Sequence, residues 1–207
     1  MALVKYNNNS ISAVTAAASI PSGALTHIKT LTASSSATLS FVHGTDGVVL
    51  DSTYPIYKFE FINIHPANND TDFTVNFRDG GSAYDATKTT TYFRASHGES
   101  GSPASLQYES AVDLAQSTAV QKLSKSGMGN ENDESLSGEL FIYSPSSTTF
   151  IKHFIARTHY YGHDNQSSDD YIAGYNNVTV AIDGVQFAMT SGNIDSGKIK
   201  LYGIKDS

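Results

Sequence analysis

The chain has 207 residues, of which 39% are apolar, enough for one sizeable core. No apolar run approaches the ~18 residues that a membrane span needs, and the absence of cysteine excludes disulfides and thiolate metal sites. A net charge of −7 argues against a nucleic-acid partner, which calls for a basic face.

Residues 1–24 are small and polar, with isolated apolar positions at Leu3, Val4, Tyr6, Ile11, Val14 and Ile20 and Lys5 as their one charged side chain. Such a segment cannot bury a core alone. It reads either as a disordered tail, whose composition it shares, or as an arm or docking segment ahead of a folded domain over residues 25–207, the six apolar positions being its candidate partner contacts. It makes a poor secretory signal, so synthesis in the cytoplasm is expected.

From residue 25 onward the pattern has period two, the signature of half-buried strands. Alternation runs through LTHIKTLT (25–32), ATLSFV (37–42), YKFEFINI (57–64) and DFTVNF (72–77). It continues through TTYFRA (90–95), SLSGELFIY (135–143) and TTFIKHFIART (148–158), then YIAGYNNVTVAI (171–182), which fits one strand or two, GVQFAM (184–189) and KIKLYGI (198–204). Residues 105–123 fit a helix face only in part and read as a loop with a strand or one short helix. HPANNDT, RDGGSAYD, SGMGNENDES, DNQSSDD and SGNIDSG punctuate the strands as turns. The sum is an all-β antiparallel sandwich, jelly-roll-like, with an N-terminal arm. The last strand is expected inside a sheet, with the turn at Gly192–Gly197 setting its register.

Catalytic chemistry finds little footing. HYYGH (159–163) has the spacing of a helical metal pair, but on an extended chain such residues stand about 13 Å apart. The acidic loops 130–135 and 164–170 lack the alternating carboxylates of a calcium loop. Glu99, Glu109 and Asp113 have no evident acid–base partner, and GESGS (98–102) has the wrong spacing for a nucleophile elbow. The expectation is no enzyme, no cofactor and no metal. Tyrosines are the exception, since Tyr84, Tyr108, Tyr160 and Tyr161 fall in or beside loops, where they suit contact with a protein or glycan receptor.

Three segments carry a resemblance: YKFEFINIHPANNDTDFTVNF (57–77), SGELFIYSPSSTTFIKHF (137–154) and AIDGVQFAMTSGNIDSGKIKLYGI (181–204). They resemble a recurrent family of virion structural proteins of marine tailed phages, cyanophages and pelagiphages, and the resemblance spans residues 31–204. It implies a non-enzymatic, surface-exposed β-sandwich on the virion, in a tail fibre, another appendage or head decoration. It also implies capsid or tail proteins as partners and a homo-oligomer, with a trimer preferred. It supplies no catalytic residues. The alternative is a receptor- or glycan-binding adhesin of a tail fibre, working through the loop tyrosines on a host surface glycan.

Overall fold

The period-two pattern resolves into twelve strands in a computed structural model, which describes residues 24–206. They are β1 (Leu25–Thr32), β2 (Leu39–Val42), β3 (Ile56–Pro66), β4 (Phe73–Arg78), β5 (Lys88–Gly98) and β6 (Ala104–Tyr108). There follow β7 (Gln121–Lys122), β8 (Leu136–Tyr143), β9 (Lys152–Gly162), β10 (Gln166–Asn176), β11 (Gly184–Met189) and β12 (Ile194–Ile204). Eight form a long sheet in the order β1-β12-β3-β8-β9-β10-β5-β6, and four form a short sheet, β2-β11-β4-β7. All named strand pairs are antiparallel.

Setting aside β5, β6, β9 and β10 leaves four strands in each sheet, and the chain alternates between the sheets from β1 to β4, from β7 to β8 and from β11 to β12. That is a jelly roll of two Greek keys. The remaining two hairpins, β5–β6 and β9–β10, widen one sheet only. The expected sandwich is therefore found. The arm's candidate contacts Leu3, Val4, Tyr6, Ile11, Val14 and Ile20 lie outside the described residues.

The core forms where the two sheets face each other. Tyr57, Phe59 and Phe61 alternate inward along β3, and Phe187 on β11 meets them from the short sheet. The Phe187 ring lies 5.4 Å from Phe59, 5.2 Å from Phe61 and 5.7 Å from Phe73, all with its own surface fully buried. The edge-to-face contacts with Phe59 and Phe61 and the stacking on Phe73 add to the gain from burial itself.

Several boundaries differ from the expected ones, each for a physical reason. The closing strand does lie inside the sheet, between β1 and β3, but it begins at Ile194, so the turn is shorter than Gly192–Gly197. Gly197 sits within β12 at a bulge, with φ at +116°, and a Cβ there would lie 2.5 Å from the Asn63 carbonyl oxygen. Register on β12 is thus set by a bulge opposite a second irregularity in β3 between Phe61 and Ile64. Residues 166–170 are strand and not turn, because Ser168 and Asp170 face inward and polar inward residues hide the alternation. The stretch 171–182 holds one strand, ending at Asn176, and 105–123 holds most of β6, then a loop and β7.

Truncating Phe187 to Ala empties the centre of this ring cluster. A loss of about 3–5 kcal/mol is expected for a buried Phe, read as a lower urea midpoint with an unchanged slope.

Candidate functional site

The long sheet is twice as wide as the short one, so β9, β10 and β5 need another cover on their inner face. Residues 121–128 supply it. Gln121 Oε1 accepts from Thr90 on β5 at 2.7 Å, the Leu123 carbonyl accepts from Thr158 on β9, and the Lys125 and Ser126 N–H groups donate to the Tyr160 hydroxyl at 3.1 and 2.9 Å. A backbone segment used as a roof brings its polar groups inside, and the inward side chains below it are polar to match.

Titratable groups are buried there in numbers the sequence does not suggest. Asp170 is fully buried and accepts from the Tyr92 hydroxyl at 2.5 Å. Burial pushes its carboxyl up to about 7, against the opposing effects of the Tyr92 hydrogen bond and the Arg94 charge. Burial likewise raises the phenols of Tyr92 and Tyr160. Glu109 stands between Arg94, at 3.2 Å, and Lys125, at 3.1 Å. Burial would raise its carboxyl, but hydrogen bonds from Gln107 and Lys125 and the two cations outweigh that and hold it low. Lys88 is fully buried and donates to Asn76 Oδ1 at 2.6 Å and to the Ala86 carbonyl at 3.0 Å, and burial pulls its ammonium down to about 8. Lys152, also fully buried, donates to the carbonyls of Val178 and Val180. These charges pin loops to the sheet; Asp170, Lys88 and Lys152 meet no solvent through which a substrate could reach them.

The four candidate receptor tyrosines are not brought together. Tyr160 is a correction: it is fully buried on the inward side of β9 as the acceptor for the roof, so no receptor can touch it. Alternation along a strand decides this, since its neighbour Tyr161 points outward, half-buried, and donates to Asn165 at 3.0 Å. Tyr84 is half-buried in the β4–β5 connection. Tyr108, on β6, is 55% exposed, with its hydroxyl on Asp113. Among the described residues no group of three or more His, Asp or Glu could hold a metal ion. His159 instead lies 2.9 Å from Ser167, and His163 sits 3.1 Å from the Ser126 carbonyl.

The outer face of the long sheet carries what accessible chemistry there is. Its middle row runs Lys200, Glu60, Glu139, Arg157, Tyr171, Phe93, Tyr108 across β12, β3, β8, β9, β10, β5 and β6. The row begins charged and ends aromatic. Arg157 makes a two-pronged pair with Asp169, at 3.0 and 2.7 Å, and lies 4.9 Å over the Tyr171 ring. Tyr171 in turn stacks on Phe93 at 4.8 Å with the planes 3° apart. Leu106, Ile155, Ala173 and Ala95 flank the ladder, and Leu106 is 74% exposed. The rings therefore present edges rather than faces to solvent. That suits an apolar protein surface, whereas a sugar ring stacks on an open aromatic face. Sequence reading missed Phe93 and Tyr171 because alternation identifies strands without saying which face is covered.

No family model, curated protein or solved structure matches the chain. What defines the site is its geometry: a jelly roll whose outer face is charged on one half and aromatic on the other.

The Asp170 carboxyl yields a test. Its folded pKa lies above the unfolded value of about 4, so the folded protein holds a proton that the unfolded chain releases. Stability from this group is greatest at low pH, falls as pH rises from about 4 to about 7, and is flat above. Denaturant titrations of the wild type and Asp170→Asn across that range should differ by a term of this sign, with the variant lacking the fall.

Proposed function

We propose that this chain is a non-enzymatic structural protein of a tailed-phage virion, exposed on the particle in a tail fibre, another appendage or head decoration, and docked through its N-terminal arm. Its partners are capsid or tail proteins and further copies of itself, with three copies around an axis the preferred arrangement. The observation that carries this reading is the aromatic half of the outer face, where Tyr171 stacks on Phe93, beside an open sheet edge. A contiguous exposed apolar patch on a chain with 16% charged residues is the mark of a surface meant to be covered. The resemblance in residues 57–77, 137–154 and 181–204 supplies the virion setting. Jelly rolls serve in both capsid and lectin domains, so the fold alone leaves the choice to the site.

An adhesin that grips host glycan is the second reading. Tyr108 and the half-exposed Tyr84 and Tyr161 favour it, and these lie on separate parts of the surface.

Quantitative mass spectrometry of purified virions tests the proposal. Hundreds of copies per particle are expected for head decoration, and a few to a few dozen for a tail appendage. No copies would overturn it. On a particle that carries the chain, Phe93→Asp should lower incorporation severalfold without unfolding the sandwich, because the ring is 42% exposed.

A further inference from the structure

A sheet edge offers unpaired N–H and C=O groups to any other strand, and proteins blunt such edges with charge, bulges, proline or shortness. Four strands lie at sheet edges here. β1 carries a bulge between His27 and Lys29, and Lys29 reaches across to the Asp46 carbonyl at 3.0 Å. β2 has four residues and β7 has two. β6, with sequence ASLQY, has no charge and no bulge, and every one of its residues is exposed.

Its hydrogen-bond phase can be worked out. Glu109 N–H donates to the Tyr92 carbonyl and Gly98 N–H to the Pro103 carbonyl, so Gln107 and Ser105 also point their backbone groups at β5. Ala104, Leu106 and Tyr108 then turn theirs away from the sheet, and among the described residues no backbone group meets them. The same three residues project side chains onto the aromatic half of the outer face.

We propose that β6 is completed by β-strand addition, and that the added strand is the N-terminal segment, residues 1–23, of a neighbouring copy. This rests on the assembly reading above and names its contact. Three features select that occupant. The segment SISAVTAAASI (10–20) is uncharged, contains β-branched Ile11, Val14, Thr15 and Ile20, and has no proline before Pro21, so it matches an uncharged edge. Residues 1–23 can extend over up to about 80 Å. They join the described chain at Ala24, which leads into β1, the opposite edge of the same sheet. A chain's own segment therefore starts seven strand spacings, about 34 Å, from its own β6. A neighbour set head to tail, its β1 edge toward this β6, delivers the segment directly. Head-to-tail contacts of this kind close into rings, a trimer among them.

The test uses the full chain, whose lack of cysteine makes single thiols unambiguous. Hydrogen exchange at the Leu106 and Tyr108 amides should be slowed about tenfold or more once copies associate, and released on dilution to monomer. Mixing a Val14→Cys chain with a Leu106→Cys chain and adding a short thiol-to-thiol crosslinker should give the mixed dimer. Leu106→Lys, a change at an exposed position, should restore fast exchange at the Tyr108 amide at the same protein concentration while thermal unfolding stays within about 2 °C of wild type. Protection that persists in monomer would overturn the proposal in favour of the chain's own segment. Crosslinked Leu106→Cys homodimers without the mixed species would overturn it in favour of β6 pairing with β6. Free exchange at both amides in associated protein would overturn it outright. Counting copies on virions is independent of all three, so the virion reading stands or falls separately.

Discussion

An eight-stranded sheet faced by one of four strands leaves half of its inner surface to be covered by something that is not a sheet. The rest of this structure follows from that mismatch. Over β12, β3 and β8 the short sheet brings Phe41, Phe73 and Phe187 down onto the inward rings of β3, and the interior is apolar. Over β9, β10 and β5 the cover is the edge strand β7 and the backbone that follows it, residues 121–128, with Phe77 of β4 packed on Phe154 of β9. Backbone must be satisfied wherever it is buried, so Gln121, Thr90, Thr158 and Tyr160 face it with hydrogen-bonding groups. Charge follows. Glu109, Arg94 and Lys125 tie the covering loop to β5, and removing one member of such a buried set typically costs about 3–5 kcal/mol because its partner is left uncompensated.

The same widening decides what the protein shows to solvent. The strands of the minimal jelly roll carry Lys198, Lys200, Lys58, Glu60 and Glu139 on their outer face, and Lys58 bridges the two glutamates at 3.7 and 2.9 Å. The added hairpins carry Tyr171, Phe93, Ala95, Leu106 and Tyr108. Arg157 marks the border, facing Glu139 of β8 on one side and, on the other, pairing with Asp169 and lying over Tyr171, both of β10. The hairpins that created the need for a polar roof thus also created the apolar surface and the open edge of β6. Perturbed carboxyls and ammonium groups often flag active sites. In this protein Asp170, Lys88 and Lys152 are buried, Lys88 against Asn76 and Ala86 and Lys152 against Val178 and Val180, away from the accessible face.

Much of this was legible from residue pattern. β1 and β11 run over the expected residues, and β3, β4 and β8 lie within two residues of theirs, because each buries one apolar face against a polar one. Strands whose inward residues are polar were hidden, as Ser168 and Asp170 on β10 illustrate. Burial of a tyrosine could not be read either: Tyr160 and Tyr161 are chemically equal neighbours, and only the pleat separates an acceptor inside from a phenol outside.

By itself, the sequence determined the all-β sandwich class and most strand positions, the closing strand among them, since period-two alternation is a local property that any strand must satisfy to bury one face. Only tertiary structure decided the rest. Sheet order, the roof over β9, β10 and β5, the burial of Lys88, Lys152 and Asp170, and the alignment of Arg157, Tyr171, Phe93 and Tyr108 in one row depend on pairings between residues far apart in the chain. Register between strands is a relation among segments, and no single segment contains it.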